Sequence, residues 1–186
     1  MNPDQFKKHL EKKQAEFRNY VNTVFPKNAG EISLRFIDKN FRDQGWHGNT
    51  FQPWPSIKRK GTILVKSGTL RRGNSFTTTP GIAHVINNVK YAAVHNDGFK
   101  GSVNISAHTR KILTGRKIFT GNILKSGYNK TKTIHNVSGI SYVKAHTRIM
   151  NIQKRQFFPT SWADSSVLKN QYIDEMKLNM KRIFNQ

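Results

Sequence analysis

The residues of this chain best suited to proton chemistry are its seven histidines, because unperturbed imidazole titrates close to neutral pH. Five of them, His84, His95, His108, His135 and His146, lie in the middle of the sequence. Two His and a Lys suffice for metal-independent RNA cleavage, with one imidazole as base and the other as acid. His108 and His146, each two residues before an arginine (Arg110 and Arg148), are the candidates for that role. Nothing beyond residue type pairs them, and an isolated His on a strand is ordinarily a hydrogen-bonding residue. Other chemistries lack their parts. Hydrolytic metal sites and glycosidases converge two or more carboxylates, yet Asp97 is the only acid between residues 44 and 163. The chain has no Cys, which removes disulfides and thiolate metal sites, and no close His pair with a third ligand suggests zinc. Thr69-Leu70-Arg71-Arg72-Gly73 is not a phosphate-cradling loop ending in Lys-Ser or Lys-Thr, and no nucleophile elbow occurs. The expectation is a protein that is not an enzyme and carries neither cofactor nor metal.

Charge points elsewhere. There are 32 Lys and Arg against 10 Asp and Glu, a net of +22. Between residues 44 and 163 stand nineteen basic residues and one acid, so the middle carries +18 and the two ends together only +4. A field of one sign is ordinarily matched by an anionic partner, nucleic acid first and an acidic protein surface second. The stretch 100–132 holds Lys100, Arg110, Lys111, Arg116, Lys117, Lys125, Lys130 and Lys132 without an acid. These are the candidate contacts to DNA or to an acidic neighbour. Trp46 and Trp54 are of the type that stacks on bases, but beside Pro53 and Pro55 they read as anchors of a packed loop. No apolar run reaches the length of a membrane span, and the first twenty residues are too charged for a signal peptide.

The elements that must position these residues follow from periodicity. Residues 3–24 read as a helix, with Phe6, Leu10, Phe17, Val21 and Val24 at helical spacing. Phe25-Pro26 is expected to stop it, because proline disfavours helix in the residue before it. A second helix is expected over 29–42, capped by Asn28, with Ile32, Phe36, Ile37, Asn40 and Phe41 along one side. Residues 45–60 read as a loop pinned by aromatics. A helical turn capped by Ser67 or Thr69 comes next. A hairpin follows, with strands over 75–79 and 82–87 joined at Pro80-Gly81. One or two helical turns over 91–96 should end at Gly98. Strands are expected over 102–113, 117–125 and 140–150, broken by turns at Gly115, Gly121, Gly127 and Gly139. The tetrapeptide Ala-His-Thr-Arg occurs at 107–110 and again at 145–148, too short for a duplication but consistent with two strands in equivalent environments. A last helix over 165–184 carries Leu168, Tyr172, Met176, Met180 and Ile183 on one stripe. The class is α+β, with helices at both termini packed on a mostly antiparallel sheet. It forms one domain over 1–186, with an extended basic β insertion over 99–142.

Four pieces of the sequence carry a resemblance. Trp54 and Ile57 precede a basic stretch and then Ile63-Leu64, Ser67-Gly68 and Leu70-Arg71. After the hairpin come Tyr91-Ala92, His95 and Gly98. Arg155 and Phe157 stand just before the last helix, in a motif whose usual proline is here Gln153. In this order the pieces resemble the phage virion morphogenesis family, the tail completion proteins typified by protein G of phage Mu. The stretch 99–142 is longer and more basic than that pattern. The resemblance implies a non-catalytic structural subunit of the head–tail neck or tail terminus. Such a subunit would assemble with its own copies into a ring, six by the symmetry of tails, against other neck or tail proteins and around a DNA channel. Its place would be the virion, and the host cytoplasm during assembly. It also implies structural roles for Trp54, Gly68, Leu70, Tyr91, His95, Gly98, Arg155 and Phe157. Glycine at 68 and 98 is expected to hold backbone angles costly for other residues, and Leu70, Tyr91 and Phe157 to fill the core. Without the resemblance, the charge alone suggests a nucleic-acid-binding protein acting free in the cytoplasm.

Overall fold

Helix α1 (Pro3–Asn19) opens on a reciprocal cap: the Asn2 side chain accepts from the Asp4 N–H at 3.3 Å and Gln5 accepts from the Asn2 N–H at 3.3 Å. The computed structural model describes residues 2–57, 61–123, 129–161 and 163–185, and for Lys117, 119–123 and 129–131 the backbone alone. The expected stop at Phe25-Pro26 does not occur. The chain passes through one π-helical turn (Tyr20–Val24) directly into α2 (Phe25–Asp43). The widened turn lets the Phe25 N–H reach the Tyr20 carbonyl, five residues back. Pro26 has no N–H to offer the Asn22 carbonyl, and that carbonyl instead accepts from the Gly81 N–H at 3.0 Å. Asn28 is therefore inside the helix and caps nothing; its side-chain amide donates to the Glu175 carboxylate.

The chain divides into two units, Met1–Phe99 with Ile152–Gln186, and Lys100–Asn151. The fold is α+β, with the N-terminal and C-terminal helices packed with small antiparallel two-stranded sheets. In the first unit α2 is the axis. Ile37 and Phe41 on one side meet Trp54, Leu70, Ala92 and Phe157, while Ile32 and Phe36 on the other meet Trp46 and Leu168. Residues 45–53 are not a plain loop. β1 (Gly45–His47) and β2 (Phe51–Pro53) pair antiparallel, with Pro53 at the strand end where its missing N–H costs nothing. After α3 (Thr69–Arg72), strands β3 (Asn74–Thr79) and β4 (Ile82–Asn87) form the expected hairpin, with Gly81 at φ 77° in its turn. The hairpin lies on α2 so closely that a Cβ at Gly30 would sit 2.2 Å from the Phe76 ring. Helix α4 (Ala92–Asp97) ends at Gly98, and α5 (Ser166–Phe184) starts at Ser165, whose hydroxyl accepts from the Leu168 N–H at 3.1 Å.

The second unit consists of β5 (Phe99–Ile105), β6 (His108–Ile123), β7 (Asn129–Val143) and β8 (His146–Ile152), whose pairs are β5 with β8 and β6 with β7. Gly115, Gly121 and Gly139 do not break these strands where turns were expected, and Gly127 falls outside the described residues. Gly115 stands opposite His135 within the ladder, and Thr133 and His135 lean over it. At Ser138-Gly139 the turn signal marks a bulge. Ile112 pairs with Gly139 and Leu113 with Val137, so Ser138 is the extra residue, and its hydroxyl donates to the Ile112 carbonyl at 3.2 Å. Both copies of Ala-His-Thr-Arg occupy the same local geometry. Each follows a strand break and opens the next strand, with the His108 Nδ1 3.0 Å from Ser106 O and the His146 Nδ1 3.0 Å from Lys144 O.

Candidate functional site

Two arrangements bring candidate residues together: a packed junction in the first unit and the basic ribbon of the second. The junction joins pieces of chain up to about a hundred residues apart. The Trp54 indole is buried, stacks edge-on against Phe41 with ring centres 5.5 Å apart, and donates to the Gln156 carbonyl at 2.7 Å. The packed reading of both tryptophans holds, since Trp46 is buried edge-on against Phe36 at 5.3 Å. Leu70 and Phe157 are buried, Phe157 lying 5.0 Å from the Phe41 ring. The Arg155 N–H donates to the His95 carbonyl at 2.8 Å, and its guanidinium reaches the carbonyls of Pro55 at 3.1 Å and Ser56 at 3.3 Å.

Both glycines of the motif have the backbone expected of them. Gly68 has φ 73°. Gly98 has φ 77° and ψ 167°, a region open almost only to glycine, and a Cβ there would meet the Lys154 backbone N at 2.9 Å. Tyr91 corrects the expectation of a core residue. It is 45% exposed, because it precedes α4 and turns its ring edge-on to His95, 5.8 Å away, instead of inward. Tyr91, His95, Leu70 and Arg155 border a cleft of about 230 Å³. Burial and the neighbouring Arg155 charge push the His95 imidazole below its usual pKa, and its buried Nδ1 has no hydrogen-bond partner among the described residues.

Three polar groups of this unit carry more than their sequence context suggested. Asn96 is buried, accepts the backbone N–H of Phe157 at 3.0 Å and of Phe158 at 2.9 Å, and donates to Asp97 at 2.8 Å. Asn40, fully buried, donates to the Phe157 carbonyl at 3.1 Å and accepts from the His47 N–H at 3.1 Å. Its place within the apolar side of α2 was the legible signal, since an amide there must find partners. Asp164 accepts from the backbone N–H and hydroxyl of both Thr160 and Ser161, at 2.6–3.0 Å. These hydrogen bonds hold its carboxyl well below the usual carboxylate range.

Among the described residues there is no group of three or more His, Cys, Asp or Glu placed to hold a metal ion, and no helix long and apolar enough to cross a membrane. Compared with protein-family models, curated proteins and solved structures, the chain matches none.

In the second unit Lys100 lies on β5, Arg110, Lys111 and Arg116 on β6, and Lys132 on β7, all exposed. Lys117 and Lys130 belong to the same two long strands by their backbone, and Lys125 falls outside the described residues. Strand alternation divides the ribbon into two faces. Arg110 and Arg116 share one with the exposed Ile112 and Ile134, as does Lys132, which stands opposite Ile118. The other holds Lys111, Leu113, Val137, Ile140 and Tyr142, with Ile140 70% and Tyr142 66% exposed. His108 and His146 begin strands of different pairs, β6 and β8, and both are exposed.

Proposed function

We propose that the chain is a non-catalytic structural subunit of a phage head–tail neck or tail terminus, a tail completion protein that assembles with its own copies into a ring. The observation that carries this reading is the junction. The pieces behind the resemblance to the virion morphogenesis family, at Trp54, Leu70, His95–Gly98 and Arg155–Phe157, are far apart in sequence. Trp54, Leu70 and Phe157 pack around one core, and Trp54 and His95 hydrogen-bond to the backbone of residues 155–156.

Surface chemistry agrees with self-assembly. Phe6 (53% exposed) and Leu10 (51%) stand one turn apart on the first half of α1, an apolar stripe with no cover. Leu178 and Phe184 on α5 are exposed as well. A subunit in a ring buries such stripes against the next copy through head-to-tail contacts. The charge of +22 per copy opposes closure, so assembly depends on anions that screen or match it.

The test is the mass of the particle in solution at moderate salt, measured by light scattering or native mass spectrometry with and without DNA. A defined multimer is expected, and Phe6→Ser with Leu10→Ser should shift it toward monomer. A monomer under every salt, concentration and DNA condition refutes the ring.

A further inference from the structure

The unit Lys100–Asn151 contains ten Lys or Arg and no Asp or Glu. None of the ion pairs among the described residues involves a residue of this unit. Charges of one sign raise one another's energy, and a paired ribbon has no interior in which to neutralise them. A second copy of the ribbon brings the same sign, so it does not answer the charge. A polyanion does.

The two faces decide how that polyanion lies. Both faces expose apolar side chains, Ile112 and Ile134 on one and Leu113, Val137, Ile140 and Tyr142 on the other, but among the described side chains the latter offers phosphates one cation, Lys111, to compensate for lost water against the former's three. On the three-cation face Arg110 and Arg116 are six residues apart on one strand, roughly 20 Å at about 3.3 Å per residue. That is the axial length of about six base pairs of duplex. Lys132 extends the same row from the partner strand, opposite Ile118. A two-stranded ribbon is also an element that the major groove of duplex DNA admits.

We propose that the Lys100–Asn151 ribbon is a duplex-DNA-binding arm whose Arg110, Arg116 and Lys132 face follows the phosphate backbone without reading sequence. The arm deepens the neck or tail reading by naming what this part of the chain meets, and its test does not depend on assembly.

The experiment is fluorescence anisotropy of a labelled duplex of mixed sequence with the full chain, across a KCl series. Each phosphate contact contributes about 0.9 to the slope of log affinity against log salt. The triple variant Arg110→Gln, Arg116→Gln, Lys132→Gln is expected to flatten that slope by about 2.7, three contacts' worth. The charge-keeping variant Arg110→Lys with Arg116→Lys keeps the wild-type slope, which separates charge from folding. Lys111→Gln, on the other face, and Lys7→Gln with Lys8→Gln and Lys12→Gln, on α1, also leave it unchanged. An unmoved slope in the triple variant overturns the arm. So does tighter binding to polyglutamate than to duplex, which makes the partner an acidic protein. Tighter binding to single-stranded DNA, with a slope near 0.7 per contact, overturns the duplex. A monomer that binds duplex through this face refutes the ring and keeps the arm; a ring with an unmoved slope does the reverse.

Discussion

Replacing Asn96 by Ala is expected to destabilise the first unit more than any loss of packing volume explains. The side chain is 5% exposed, and its carbonyl is the acceptor for two consecutive backbone donors, Phe157 N–H at 3.0 Å and Phe158 N–H at 2.9 Å. Alanine removes the acceptor and leaves both donors in place. An orphaned buried donor costs about 1–3 kcal/mol. Phe157 is 1% exposed and bears the full cost, whereas Phe158 is half-buried and recovers part of its loss from water. The expected total is roughly 2–4 kcal/mol. With a urea m-value of about 2 kcal/mol per molar, the unfolding midpoint should fall by about 1–2 M. Urea unfolding followed by far-UV circular dichroism reads the shift, and an unchanged m shows that the change lies in stability. Asn96→Asp keeps an acceptor but places a second carboxylate beside Asp97, so it should fall between wild type and Ala. A loss below about 0.5 kcal/mol for Asn96→Ala refutes the argument. It would mean that the segment after Arg155 is held by packing alone.

Leu70→Ala should cost about 2–5 kcal/mol in the same assay, and the half-exposed Tyr91→Ala less than about 1 kcal/mol; equal losses would contradict the burial that separates the two residues. Gly98→Ala meets both a glycine-only backbone and the Lys154 N at 2.9 Å, so a loss of at least about 1–3 kcal/mol is expected, and a neutral result would refute the geometry. Two groups make stability depend on pH in the same direction. The Asp164 carboxyl is held low in the fold, so its contribution is present above the ordinary carboxylate pKa and is lost as pH falls through the folded value. The His95 imidazole is also held low, so its contribution is complete above about pH 6.5 and declines as pH falls below it. Asp164→Asn should flatten the acid limb of a stability–pH curve and His95→Gln the stretch just below neutrality; curves parallel to wild type would count against both. Purified protein should leave DNA and RNA uncut with or without Mg²⁺, and cleavage lost in His108→Ala or His146→Ala would reverse the non-catalytic reading.

Much of the local architecture was legible from residue order because it depends on near neighbours. The apolar stripe of α2, the turn at Pro80-Gly81, the Ser165 start of α5 and the positive φ at Gly68 and Gly98 each follow from periodicity or from one residue's steric freedom. The acid-free basic stretch needed only counting.

Tertiary structure decided whatever depends on a distant partner. Pro26 reads as a helix stop, yet the helix continues because Gly81, fifty-five residues on, supplies a donor to the carbonyl that proline leaves free. Leu70 and Tyr91 belong to two pieces of the same resemblance, and only the packing around α3 and α4 places the first inside and the second at the surface. Gly115 and Gly139 read as turns until a facing strand covers one and absorbs the other in a bulge. The separation of Arg110, Arg116 and Lys132 from Lys111 likewise needed the register, since a one-residue slip would move every side chain of a strand to the other face. Short-range propensities set what each segment can become. The pairing of donors with acceptors across the fold selects which of those states it adopts.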